Sequence, residues 1–416
     1  MAAGGRSLEQ WLRWQEALHP QAMDLGLERV GAVWENLGAP RPARRVITVA
    51  GTNGKGSTVA CIEAAARAAG LAVGCYTSPH LLRYNERLRL QGRDAPDARW
   101  CRAFAAVEAA RDGIPLTYFE FGTLAALRAL AREDLDLAVL EVGLGGRLDA
   151  VNVVDPDLAV LTPVALDHQH WLGADREAIG AEKAGILRPG IPAVCSDRDP
   201  PASVLAEARR LGVSLWCLGR DFDLRPAGED REWRGPPGRL RLPSPGGARI
   251  QADNAAAAVA ALVRLWPGRD WEGPAAAMAG AVPPGRFQLL SESPELRADV
   301  AHNPAAARAL AATLEAGGGP VQVVLGMLAD KDVEGFARAL AGVAGGWFPV
   351  GLDVERGLDG AALHQRLRRV LPAGRLHPPA TLPLALEQAR AAAGREGRVL
   401  VTGSFHTVAQ ALALRV

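Results

Sequence analysis

Apolar residues in this chain gather in short unbroken runs, and stretches of helical character separate those runs. The runs at 46–50, 72–77, 137–142, 158–162 and 192–196, and again at 321–325, 347–351 and 399–403, read as strands. Continuous runs, unlike alternating ones, are expected of parallel strands covered on both faces. Between them, residues 100–111, 121–131 and 332–341 carry helical patterns, and the alanine-rich stretch 255–261 is helix-compatible. Strand and helix signals in alternation predict an α/β protein. The polar stretch 221–247, rich in Pro, Gly and Arg, reads as an irregular or antiparallel excursion inside a first domain. The better boundary is Ala281-Val282-Pro283-Pro284-Gly285, after which a new strand and helix series starts. The expected domains are residues 1–284 and 285–416.

Composition adds bounds. A chain of 416 residues exceeds one comfortable core, in keeping with two domains. Hydrophobic content of 49% with 22% charged residues fits a soluble globular protein, and a net charge of +1 gives no electrostatic reason to expect nucleic-acid or membrane partners. Cys61, Cys75, Cys101, Cys195 and Cys217 are dispersed, without a Cys-x-x-Cys pair, as expected of reduced thiols in a cytoplasmic protein. Trp11, Arg13, Trp14, Glu16 and His19 occupy the place of an apolar signal core, so export is not expected.

The run at 46–50 feeds directly into Gly51-Thr52-Asn53-Gly54-Lys55-Gly56-Ser57-Thr58. Strand, glycine-rich turn and helix start in that order build a phosphate cradle. Glycines allow a tight turn and close approach, and the helix N-terminus aims N–H groups at anionic oxygens. Lys55 supplies a point charge for the outer phosphates, and Ser57 or Thr58 a hydroxyl near a metal. The helix is expected over 59–69, closing at Gly70. Gly56 after Lys55, and Val49 at the earlier glycine position, depart from the plain phosphate-loop pattern.

Ligands of open parallel sheets gather at the carboxyl ends of the strands. Ser78-Pro79-His80, Glu141 and Asp167-His168 all follow or close predicted strands. Ser78 and Glu141 are suitable oxygen ligands for magnesium, whereas an imidazole such as His168 is less usual. Each has a plainer alternative. Ser78 could start a turn, Glu141 could be an exposed strand end, and His168 could cap a helix beginning near Asp175. Lys183 would ordinarily be a solvated helix lysine.

The blocks Ala50-Gly51-Thr52-Asn53-Gly54-Lys55-Gly56-Ser57, Thr77-Ser78-Pro79-His80-Leu81 and Arg83-Tyr84-Asn85-Glu86-Arg87 resemble the folylpolyglutamate synthase/dihydrofolate synthase family. So do the blocks from Glu141 to Asp149, Asp167-His168, Glu182-Lys183-Ala184-Gly185-Ile186, Gly285-Arg286 and Ala301-His302-Asn303-Pro304. They stand in family order, and Gly56 is part of the family's version of the loop. The resemblance implies a Mur-type amide ligase: an N-terminal P-loop ATPase domain with a parallel sheet and a smaller C-terminal Rossmann-like α/β domain.

It also implies roles. Thr52, Asn53, Gly54, Lys55 and Gly56 would contact ATP phosphates, with Ser57 near the metal. Ser78, Glu141 and His168 would hold a pair of magnesium ions, with Lys183 carbamylated to help bind the second. Asn254, Arg286 and Asp299 match positions that grip the nucleotide, and His302 faces it. Val300 stands where the family usually has glycine, which bears on the loop carrying Asp299. Leu25-Gly26-Leu27-Glu28, Thr117-Tyr118-Phe119-Glu120 and Leu148-Asp149-Ala150 resemble the blocks of members that use dihydropteroate, and Phe119 and Phe121 could stack on its flat ring or simply pack a helix. The implied enzyme is the bacterial bifunctional type, a monomer that joins L-glutamate to dihydropteroate and to reduced folates through an acyl phosphate made from ATP.

Overall fold

The structure, a computed structural model, describes residues 5–19, 21, 24–228, 230–242 and 249–414. The chain packs as two compact units. One comprises Met1–Val164, Leu172–Pro245 and Gln251–Ala281, the other Ala165–Trp171, Gly246–Ile250 and Val282–Val416.

The first unit is built on an eight-stranded sheet: β1 (Arg45–Ala50), β2 (Val73–Tyr76), β3 (Leu88–Leu90), β4 (Arg93–Asp94), β5 (Leu137–Glu141), β6 (Leu158–Leu161), β7 (Ala193–Cys195) and β8 (Leu215–Cys217). Their spatial order is β4-β3-β2-β5-β1-β6-β7-β8. The six strands from β2 to β8 in that order are parallel, and only the β3 and β4 edge runs antiparallel. That edge, with its alternating and charged residues, left no apolar run in the sequence. The strands are buried on both faces, as their continuous hydrophobicity requires. Val46, Ala138 and Leu140 point into one core with Trp100, Phe104 and Phe121. Ile47, Val49 and Val139 point into the other, with Ile62 and the alanines 255–258.

The helix after β1 runs Lys55–Ala68, starting earlier than the sequence suggests because Lys55, Gly56 and Ser57 form its first turn. Gly70 follows it at φ +80°, the left-handed conformation that glycine tolerates. The polar excursion forms a three-stranded antiparallel sheet, β9 (Asp223–Ala227), β10 (Asp230–Gly235) and β11 (Gly238–Leu242). Residues 229 and 243–247 of that stretch lie outside the described residues. Trp233 fastens this small sheet to the unit. Its ring is fully buried, lies 6.2 Å from that of Phe222, and donates from Nε1 to the Ala256 carbonyl at 3.1 Å.

The second unit carries a five-stranded sheet, β12 (Gln288–Glu292), β13 (Glu295–Asp299), β14 (Val321–Leu325), β15 (Ala344–Pro349) and β16 (Arg398–Thr402), in the order β12-β13-β16-β14-β15. Only β12 is antiparallel to its neighbour. Both units are therefore α/β. Among the described residues no helix is long and apolar enough to cross a membrane, and all five cysteines are free.

Replacing Trp233 with alanine removes a filled core position and a satisfied donor. We expect Trp233→Ala to cost about 3–5 kcal/mol, read as a fall in the unfolding midpoint by circular dichroism. A change below about 1 kcal/mol would show that the small sheet is not anchored there.

Candidate active site

The loop after β1 lies at the centre of the sheet, between β5 and β6, where crossovers leave on either side and a crevice opens at the strand ends. Two glycines set its path. At Gly51 (φ +150°) a Cβ would lie 2.8 Å from the Thr162 carbonyl oxygen, so the loop presses on the end of β6 in a way no side chain permits. Gly54 (φ +92°) precedes the helix, and a Cβ there would approach Asn254 Oδ1 to 2.6 Å. The family resemblance assigns Asn254, with Arg286 and Asp299, to the nucleotide; in the structure its side chain lies against Gly54 of this loop.

Two lysines converge on the same carbonyl. Lys55 Nζ donates to the Gly51 oxygen at 3.1 Å, and Lys183 Nζ donates to it at 2.9 Å. Lys183 is 3% exposed, so it is not the solvated helix lysine that its surroundings in the sequence suggest. It lies in the helix Arg176–Ala184, capped by the Asp175 side chain and not by His168. Gly146 lets the loop after β5 pack against that helix: a Cβ there would meet the Glu182 and Lys183 carbonyls at 2.6 and 2.9 Å.

Glu141 closes β5 opposite Val49 of β1. Its carboxylate is buried and accepts a hydrogen bond from the Ser78 amide at 3.2 Å. It lies under the first turn of the loop's helix, 3.6 Å from where a Gly56 Cβ would stand. Ser57, in the same turn, is also buried. An oxygen donor set of carboxylate and hydroxyls beside a helix N-terminus suits magnesium, which takes few protein ligands and keeps its waters. Among the described residues no three His, Cys, Asp or Glu side chains form a ready-made metal cluster.

Asp149 organises the loop that follows Glu141. Its oxygens accept from the Leu144 and Val151 amides at 2.8 and 2.9 Å. Burial pushes this carboxyl up to about 6, opposed by those amides and by the Lys55 charge. Phe119 lies against the same loop, its ring filling the space a Gly143 Cβ would need, and half-exposed Tyr118 precedes it. Thr117 and Glu120 form a capping box at the start of the helix Tyr118–Leu130, each side chain bonding the other's backbone N–H. Arg29 links Glu120 (2.9 Å) to Asp24 (2.7 Å), bringing the half-buried Leu25, Gly26 and Leu27 toward this helix start, with Glu28 exposed. Leu148 is half-buried and Ala150 buried. Phe121, by contrast, is core: it is fully buried among Trp11, Trp14 and Phe104.

His168 belongs to the second unit, on the segment Ala165–Trp171, and adopts φ +49°, a left-handed conformation uncommon for any residue but glycine. Burial and the Lys331 charge push its imidazole down to about 4 against the pull of Asp167, so at neutral pH it keeps a lone pair for a metal. Asp167 accepts from Lys331 Nζ at 2.5 Å and Asn303 Nδ2 at 3.2 Å, and it lies 3.2 Å from His302 Nε2. Burial raises its carboxyl, but His302 and Lys331 outweigh that and hold it well below the usual carboxylate range. Asp299, at the end of β13, accepts from the Phe287 and Ala301 amides, each at 2.8 Å. Val300 is buried beside it, its own amide donating to Gly285 at 2.9 Å. The Arg286 guanidinium stands 5.1 Å from the Phe405 ring. Lys331 escaped the sequence reading, and its only signal there is the short polar run Asp330-Lys331-Asp332 after β14.

Residues 285–405 match the Mur ligase, glutamate ligase domain family. The dihydrofolate synthase/folylpolyglutamate synthase of Escherichia coli (strain K12) is 43% identical over 97% of this chain and 94% of its own length. Among solved structures, E. coli FolC in complex with DHPP and ADP superposes with a TM-score of 0.93 at 42% identity, covering 100% of this chain and 98% of the other. A bifunctional folylpolyglutamate synthase/dihydrofolate synthase with Mn, AMPPNP and L-glutamate bound gives a TM-score of 0.90 at 42% identity, with 100% and 99% coverage. With similarity of this extent over its whole length, the chain belongs to the dihydrofolate synthase/folylpolyglutamate synthase family.

Proposed function

We propose that this protein is an ATP-dependent ligase that joins L-glutamate to dihydropteroate and, further on, to reduced folates. One observation carries the reading beyond family membership. Lys183 is buried against the Gly51 carbonyl, a feature that simple nucleotide binding does not require. Residues 1–284 form the ATP-binding ligase domain in this reading, and residues 285–416 the glutamate-ligase domain. The free thiols accord with a cytoplasmic protein.

A carboxylate is a poor electrophile, so amide formation needs activation. A carboxylate oxygen of the pterin substrate attacks the γ-phosphorus of ATP, ADP leaves, and an acyl phosphate results. The glutamate α-amine then attacks the acyl carbon, loses a proton, and expels inorganic phosphate. Thr52, Asn53, Gly54, Gly56 and Lys55 hold the phosphates, and Lys55 offsets charge on the transferring group. By the family resemblance, Asn254 in the first unit and Arg286, Asp299 and His302 in the second are the residues that would serve the rest of the nucleotide. In the first unit Ser78 and Glu141, with Ser57 nearby, and in the second unit His168, are the residues that would hold magnesium, which would neutralise phosphate charge. Once the Lys183 ammonium has lost a proton, its amine would add carbon dioxide and release a second proton, so that the cation becomes an anionic carbamate that would serve as an oxygen ligand. Leu25, Gly26, Leu27, Glu28, Thr117, Tyr118, Phe119, Glu120, Leu148, Asp149 and Ala150 form the pterin site, where the rings of Tyr118 and Phe119 supply the flat contacts and the Thr117–Glu120 capping box fixes their start.

Phosphate release from ATP, measured with dihydropteroate and with tetrahydrofolate in separate reactions, should depend on glutamate in both. Activity with tetrahydrofolate alone would reduce the function to chain extension, and silence in both would reject the reading. Glu141→Ala and Lys183→Ala should each lower turnover by at least about 10²-fold with an unchanged melting profile. Normal turnover in either variant would remove that residue from the mechanism. Native mass spectrometry in bicarbonate should find one added carboxyl group on Lys183, and an unmodified lysine in active protein would sink the carbamate. Gly54→Ala forces a side chain into a left-handed turn against Asn254, so equilibrium dialysis should show ATP affinity at least about tenfold weaker.

A further inference from the structure

Arg87 is a buried residue with no ion pair among the described residues. It is 8% exposed, and its Nε donates to His80 Nδ1 at 2.8 Å. Its Cζ stands 5.1 Å from the Tyr84 ring and 5.8 Å from the Tyr118 ring. The Tyr76 hydroxyl adjoins the same group. Among the described residues no carboxylate pairs with it, although its neighbours in sequence are paired: Arg83 with Asp94 at 3.1 Å and Arg89 with Glu63 at 3.2 Å. The His80 imidazole and the Tyr76 hydroxyl bond it and aromatic faces flank it, but none of these supplies a counter-charge. A buried cation in this state is costly unless an anion completes it.

Its position is fixed. The Arg87 carbonyl accepts from the Thr77 amide at 2.8 Å, which ties it beside Ser78. Glu86 accepts from the Leu81, Leu82 and Arg83 amides at 2.7, 2.9 and 2.7 Å, so the intervening loop is held as well. The guanidinium thus stands between the Ser78–His80 loop on one side and the Tyr118 ring on the other. In the functional reading above, those two sides belong to the transferring phosphate and to the pterin, and a carboxylate must lie between them.

We propose that Arg87 binds the carboxylate of the pterin substrate and holds it for phosphoryl transfer. This inference rests on the proposed function. A planar guanidinium accepts both carboxylate oxygens in parallel, which fixes orientation as well as charge. The Tyr84 and Tyr118 rings flank it and the His80 bond orients it, so little reorganisation is needed when substrate arrives.

The test compares dihydropteroate with its carboxamide, which keeps the shape and loses the charge, in calorimetric binding to the full chain. The native protein should prefer the carboxylate by about tenfold or more. Arg87→Ala should lose that preference while binding the carboxamide as before, Arg87→Lys should recover part of it, and AMPPNP affinity should stay within about twofold throughout. A purely structural role would weaken both pterins equally. A carboxylate preference that survives Arg87→Ala overturns the proposal, as does a loss confined to AMPPNP, which would assign the residue to phosphate. Native protein that binds neither pterin overturns the functional reading itself and this inference with it. Arg87→Gln, matched by melting profile, stands in if the alanine variant does not fold.

Discussion

The close approach of the chain at Gly51 to the end of β6 is the constraint on which this site depends. Thr162 leaves no room for a side chain there, so the loop must lie flat across the strand ends. Its carbonyl then points where both Lys55 and Lys183 reach it. Lys183 in turn fixes its helix, and Gly146 fixes the loop after β5 against that helix. A single missing Cβ thereby aligns contributions from the ends of β1, β5 and β6.

Buried charge is the second theme. Lys183, Glu141, Asp149 and Arg87 are all nearly inaccessible. Isolated ions in such places oppose folding, and apolar residues of similar volume would often serve stability better. The neighbours compensate in part: amide donors for Asp149 and Glu141, a carbonyl for Lys183, aromatic faces for Arg87. Such residues persist where chemistry needs a preset field, because fixed dipoles and charges need not reorganise when substrate binds.

Much of this was legible in the sequence. Unbroken apolar runs marked the buried parallel strands, and the glycine pattern marked the loop, since both follow from local sterics and burial. Asn254 lay two hundred residues from Gly54 in sequence, yet the resemblance grouped them and the structure brings them within contact. What escaped has physical causes too. β3 and β4, of 3 and 2 residues, are too short to leave a periodic trace even though Leu88 reaches the core. Burial of Lys183 depends on tertiary packing that helix periodicity does not encode. Thr117 and Glu120 looked like ligand contacts, and the structure adds a capping box that the pattern Thr-x-x-Glu had already spelled out. Phe121 and Phe119 differ only in the side of the helix they occupy, and one became core while the other stayed half open.

The bond between Lys183 and Gly51 spans 132 residues of chain. A central β1 flanked by β5 and β6 likewise waits for partners that are translated much later. Contacts of such long separation close late and make folding slow. A ribosome will have exposed the phosphate loop long before it delivers the lysine that pins it. During that interval the strand has open edges and the loop lacks the lysine that pins it, so nascent chains should become competent for nucleotide only after the helix Arg176–Ala184 has left the exit tunnel.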